Sequence, residues 1–190
     1  MCSGYPTPVY AHAGRGDFRD VYEPAQDSFL LIDALETDAE RLRGMSPSVC
    51  LEVGSGSGVV SAFVASVLGP SAAYICSDVN PAAAQCTAKT ASCNNVSLQP
   101  VLTDLVSSRG IEAAWAGGER GREVTDRFLP SVAQLLSHKG LFYLITITEN
   151  DPEEIIRLLS HQGLEGESCL STRAGNERLS VLRFHRKQQT

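Results

Sequence analysis

Short apolar runs alternate along the chain with stretches whose apolar residues recur at helical spacing. The opening segment, residues 1–19, is rich in Gly, Pro and small polar residues and predicts irregular structure. Phe29, Leu30, Ile32, Ala34, Leu35 and Leu42 then fall on one face of a helix spanning about 24–43, closed by Gly44 and Pro47. Val49–Val53 reads as a strand running into glycines, and Val59–Leu68 as an apolar helix stopped by Gly69 and Pro70. Residues 73–76 make a second strand. Asn80 and Pro81 open the next helix, with Asn80 as the N-cap and Pro81 at the first helical position, where its missing N–H costs nothing. Residues 96–102 make a third strand.

This succession of strand and helix predicts an α/β domain with a doubly wound parallel sheet. Residues 122–136 then predict a helix. Leu141–Ile147 is the longest apolar run, which predicts a strand buried on both faces. Asp151 and Pro152 repeat the cap-plus-proline device, and that helix ends near Gly163. Two last strands, around Cys169 and over 179–184, flank the turn at 174–177, which predicts an antiparallel hairpin. With no internal repeat and no linker, the 190 residues read as one domain, 1–190.

Composition narrows the partners. Apolar residues make up 43% and charged residues 20%, an ordinary globular mix, and the net charge of −6 argues against a broad electrostatic grip on nucleic acid. No apolar run is long enough to span a bilayer, so no membrane association is expected and the localisation reads as cytoplasmic, or also nuclear. The 6 cysteines form no C-x-x-C pair. His12, His138, His161 and His185 lack metal-ligand spacing, so no metal site is expected.

In an open parallel sheet, ligands sit at the carboxyl ends of the strands. The first strand ends in Glu52-Val53-Gly54-Ser55-Gly56-Ser57-Gly58, where glycines permit tight turning and close approach of a ligand. By itself such a loop could serve a nucleotide phosphate or be only a tight turn. Glu52 weighs against phosphate, because its carboxylate would repel a pyrophosphate and favours a ligand bearing an ammonium or sulfonium. S-adenosylmethionine (SAM) bears both. The second strand ends at Asp78, where a carboxylate can accept ribose hydroxyls, and the third at Thr103-Asp104-Leu105, where Asp104 could accept an adenine amino group. A nucleotide-dependent oxidoreductase on the same sheet is disfavoured by Glu52 and by the Gly-x-Gly-x-Gly spacing.

Asp20-Val21-Tyr22-Glu23-Pro24-Ala25-Gln26-Asp27-Ser28, the Glu52–Gly58 loop, Asp78-Val79-Asn80-Pro81 and the block 110–122 together resemble the HemK-type protein glutamine methyltransferases. Within that family they are most similar to the short eukaryotic branch that methylates the translation termination (release) factor. The resemblance implies a class I SAM-dependent methyltransferase (Rossmann-like) fold whose last strand runs antiparallel. It implies cofactor contacts at Ser28, Glu52, Gly54, Asp78, Asp104 and Leu105. It implies methyl transfer to the side-chain nitrogen of the glutamine in a Gly-Gly-Gln motif, in a heterodimer with a small zinc-binding activator subunit. DNA adenine, histone lysine and arsenicals have been proposed as other acceptors in this lineage.

One departure stands out. The family's catalytic Asn-Pro-Pro-Tyr, at the end of the fourth strand, occurs nowhere in this sequence. Only Val106-Ser107-Ser108-Arg109 separate Leu105 from Gly110, so the fourth strand and the signature are expected to be missing, as a skipped exon would leave them. The catalytic residues are therefore unassigned, and the form is expected to be impaired, or to be a non-catalytic isoform that binds SAM or the activator. Loss of a central strand also predicts weak stability, since each unpaired buried N–H or C=O costs about 1–3 kcal/mol.

Overall fold

The computed structural model describes residues 4–104 and 121–187. Chain contacts divide the protein into two units, Met1–Leu105 and Val106–Thr190.

In the first unit, β1 (Val49–Val53), β2 (Ala73–Asp78) and β3 (Gln99–Leu102) form a parallel sheet in the order β1-β2-β3. Val49 aligns with Ala73, and Ile75 with Gln99. Pro100 is tolerated because β3 is an edge strand, where a missing N–H breaks no second ladder. The predicted helix over 24–43 is two helices, α1 (Gln26–Thr37) and α2 (Ala39–Met45), breaking at Asp38 (φ −92°, ψ 7°). No Gly or Pro marks the break. Both segments pack against α3 (Val59–Leu68), which therefore touches the sheet on one side and helices on the other. That double burial is why α3 is apolar nearly all round.

The second crossover is α4 (Pro81–Cys93). Cys50, Tyr74 and Cys76, on one face of the sheet, pack against Ala62 and Ala65 of α3 and Ala91 of α4. The opposite face of β1 is open: Val49, Leu51 and Val53 are 58%, 42% and 37% exposed. The third strand starts at Gln99 rather than 96, because Asn95 takes a left-handed conformation (φ 55°) that ends the preceding turn.

In the second unit, β4 (Leu141–Ile147), β5 (Leu164–Ala174) and β6 (Glu177–Arg186) form an antiparallel sheet in the order β4-β6-β5. The expected hairpin at 174–177 is present as β5 and β6. Helices α5 (Glu123–Leu135) and α6 (Pro152–His161) contribute Leu129, Val132, Ile155 and Leu159 to a core with Leu164, Leu182 and Phe184. Phe142 stacks on its cross-strand partner Phe184, with ring centroids 5.7 Å apart. Gly166 pairs with Phe184 from the other side, and a Cβ there would collide with the ring, so the glycine makes room for the aromatic.

Buried Arg122 ties the two helices together. Its guanidinium donates to Asp126 Oδ1 (2.7 Å), Glu154 Oε2 (2.7 Å) and the Asn150 carbonyl (3.0 Å). Asp151 caps α6 as expected, accepting from Glu154 N (3.1 Å), with Pro152 next. Double-sided burial of Leu141–Ile147 is not found: β4 is the edge of its own sheet and only Thr146 is buried. Among the described residues β1 and β4 are both edge strands. The expected deletion, at residues 106–109, lies outside the described residues, as does most of the block 110–122.

Candidate cofactor site

The loop between β1 and α3 is built on left-handed backbone. Gly54, Gly56 and Gly58 have φ of 75°, 50° and 74°, a region that side chains rarely tolerate. The three differ in surroundings. A Cβ on Gly58 would lie 2.8 Å from Thr87 Cγ2 and 3.0 Å from its Cα, so this glycine lets α4 approach. Gly54 and Gly56 face open space, with no atom within 4 Å of where a Cβ would stand.

Hydrogen bonds hold the loop from three sides. Gly54 N and Ser55 N both donate to the Ser77 carbonyl of β2 (2.9 and 3.0 Å). Gly56 N donates to Asp78 Oδ2 (2.8 Å). From α4, Thr87 Oγ1 donates to the Gly56 carbonyl (3.3 Å) and Thr90 Oγ1 to the Ser57 carbonyl (2.6 Å). Both threonines are fully buried. Asp78 also accepts Asn80 N at Oδ1 (2.9 Å), and Asn80 caps α4 by accepting Ala82 N (2.9 Å). Each carboxylate oxygen has a second lone pair, so Asp78 can still accept from a ligand.

Glu52 points its carboxylate at the first turn of α3, where Oε2 accepts from both N and Oγ of Ser61. Burial pushes this carboxyl up to about 7, the Ser61 hydrogen bonds pull it down, and the charge of Asp78 adds upward. The neighbouring Cys76 thiol is pushed up to about 12, again chiefly by burial.

The raised Glu52 value has a stability consequence. Between the ordinary value of 4.5 and about 7, the unfolded chain ionises while the folded one keeps its proton. Stability is then full below 4.5, falls as pH rises and levels off above 7, a loss of roughly 3 kcal/mol. Thermal melts from pH 4 to 8 should show this fall in the wild type and a flatter profile in Glu52→Gln. Parallel profiles would refute the assignment.

The other expected residues are placed less centrally. Ser28 sits in the first turn of α1, where its N and Oγ donate to Asp27 Oδ1 (2.8 and 3.4 Å), an oxygen that Tyr22 OH also reaches (3.3 Å). Exposed Asp104 follows Thr103, whose N–H extends β3 by donating to the Asp78 carbonyl (2.9 Å). Leu105 lies outside the described residues. Glu52, Gly54 and Asp78 thus converge at the ends of β1 and β2. Sequence reading missed Ser61, Thr87 and Thr90, whose one signal was a pair of threonines at helical spacing on an otherwise alanine-rich helix.

A glycine loop after the first parallel strand, tied to an acid at the end of the second, is the arrangement of the class I methyltransferase (Rossmann-like) fold. Solved structures share that fold. A chain of the E. cuniculi Mtq2–Trm112 complex, responsible for the methylation of the eRF1 translation termination factor, aligns with a TM-score of 0.66 at 23% identity, covering 88% of this chain and 99% of that one. A ribosomal protein L11 methylase from Lactobacillus delbrueckii gives 0.62 at 17%, over 88% and 82%.

Relatives in sequence are nearer. Methyltransferase HEMK2 of Mus musculus is 55% identical over an alignment of 207 positions, covering 94% of this chain and 96% of the mouse protein. The human HEMK2 is 54% identical. The eRF1 methyltransferase catalytic subunit mtq2 of Schizosaccharomyces pombe is 30% identical over 95% of both chains. No protein-family model matches. The chain belongs to the HEMK2 family of methyltransferases.

Proposed function

We propose that this chain binds SAM at the carboxyl ends of β1, β2 and β3, and that its reaction is methylation of the glutamine side chain in the Gly-Gly-Gln motif of a translation termination factor. The observation that carries the reaction is the 30% identity, over 95% of both chains, to a protein named as an eRF1 methyltransferase catalytic subunit. The site suits the cofactor. Gly54 and Gly56 leave open space, Asp78 retains free lone pairs, and Glu52 offers a half-buried carboxylate that a cationic ligand would ionise.

Ser28, Glu52, Gly54, Asp78, Asp104 and Leu105 would hold the cofactor. Bound SAM supplies an electrophilic methyl group on a sulfonium. Asp78 would take the ribose hydroxyls without releasing Gly56, so the loop stays fixed as ligand enters. A small zinc-binding activator subunit is the proposed partner, in line with the Mtq2–Trm112 pairing of the structural relative.

We further propose that this form transfers methyl poorly. An amide nitrogen has its lone pair delocalised into the carbonyl, so it needs to be clamped and aimed, and the Asn-Pro-Pro-Tyr that would do so is absent from the sequence. The alignment with mouse HEMK2 spans 207 positions, more than the 190 residues of this chain, so the relative carries residues that this chain lacks. That difference also favours the second reading, a form that binds SAM or the activator without turnover.

Calorimetry with SAM, followed by methyl transfer to a termination-factor fragment with the activator present, tests both. The expected result is saturable SAM binding with turnover at least about a hundredfold below that of a longer relative. Absence of SAM binding by the folded protein would overturn the cofactor assignment. Turnover at the relative's rate would overturn the impairment.

A further inference from the structure

The N-terminal segment, expected to be irregular, is bound to α4 along that helix's length. At one end Asn80 Nδ2 donates to the Asp20 carbonyl (3.2 Å). At the other, Asn94 accepts Val9 N at Oδ1 (2.7 Å) and donates from Nδ2 to the Val9 carbonyl (2.9 Å), so its side-chain amide stands in for a strand partner. Between them Ala13 and Val21 are buried against Ala83 and Cys86. At the centre, His12 Nε2 lies 2.9 Å from Thr90 Oγ1, with its ring edge-on to Phe18.

Proton counting fixes the direction of that contact. The Ser57 carbonyl can only accept, so the single hydroxyl proton of Thr90 is spent on it (2.6 Å). Thr90 Oγ1 is then left as an acceptor, and His12 Nε2 carries the hydrogen. The result is a directed chain from His12 N–H through the Thr90 hydroxyl to the Ser57 carbonyl, in which each bond polarises the next. Ser57 lies between Gly56 and Gly58, both at positive φ, where the backbone has little conformational preference of its own. External ties therefore decide the loop's shape.

We infer that His12 is a positioning residue for the glycine loop, fixing the Ser57 carbonyl through Thr90 and so making the N-terminal segment part of the ligand site. Its effect on affinity rests on the SAM reading given above; its effect on the loop does not.

Two measurements on the full chain test it. Without ligand, His12→Ala should speed amide hydrogen exchange at residues 54–58 about fivefold while β4–β6 exchange is unchanged, and His12→Gln, which keeps an Nε2–H donor, should restore the wild-type rate. By calorimetry, His12→Ala should weaken SAM about fivefold and His12→Gln should not. Thr90→Val, which also removes the Ser57 bond itself, should lose at least as much, with no further loss when His12→Ala is added, because His12 acts only through Thr90. Unchanged loop exchange in His12→Ala, or failure of glutamine to rescue it, overturns the inference. If the wild type binds no SAM, the functional reading falls while the exchange result still decides the role of His12.

Discussion

Phe184→Ala is expected to cost about 3–5 kcal/mol, a large share of the roughly 5–15 kcal/mol that holds a typical domain together. Phe184 is fully buried on the central strand of its sheet. It stacks on Phe142, covers Gly166 and is shared by the contacts of α5 and α6. Gly166 has no side chain with which to fill the space left behind, so the cavity would stay open. Urea unfolding followed by far-UV circular dichroism should show the midpoint collapse, with Phe184→Leu losing far less. A loss under 1 kcal/mol would mean that the second unit draws its stability from elsewhere.

The second large effect is expected in binding. Asp78→Ala removes the acceptor of Gly56 N and of Asn80 N, together with the lone pairs proposed to hold ribose hydroxyls. Losing charge-assisted bonds worth about 1.5–3 kcal/mol each should weaken SAM by roughly a hundredfold. Folding should suffer less, because Asn80 still caps α4. Removing the Asp78 charge also removes one of the upward pushes on Glu52, so the pH profile of stability should move to lower pH in this variant. Calorimetry at pH 8, where Glu52 is ionised in both proteins, reads affinity alone. Binding within threefold of wild type would exclude Asp78 from the ligand site.

The legible parts of the fold were those that local chemistry specifies. Asn80 with Pro81 and Asp151 with Pro152 announce helix starts because a side-chain acceptor and a ring-fixed φ act within one turn. The glycine loop was legible because few other residues accept its backbone angles. What escaped depends on neighbours. The break at Asp38 has no Pro or Gly to mark it and follows from packing two segments on α3. The apolar run Leu141–Ile147 states what the strand would bury, but burial is decided by what flanks it, and among the described residues β4 is an edge. At the site, Glu52 and Asp78 stand out in the sequence as acids at strand ends. Thr90 and His12 become a pair only when chain segments 78 residues apart meet.

The open face of β1 bears on how long the protein would survive in a cell. Val49, Leu51 and Val53 present an apolar row on a strand that is an edge among the described residues, the kind of surface that holdase chaperones bind and that proteases follow. Its abundance would then be set by quality control, whatever the chemistry of the glycine loop. A cell making this chain beside a longer relative would hold little of it at steady state unless a partner covered that row.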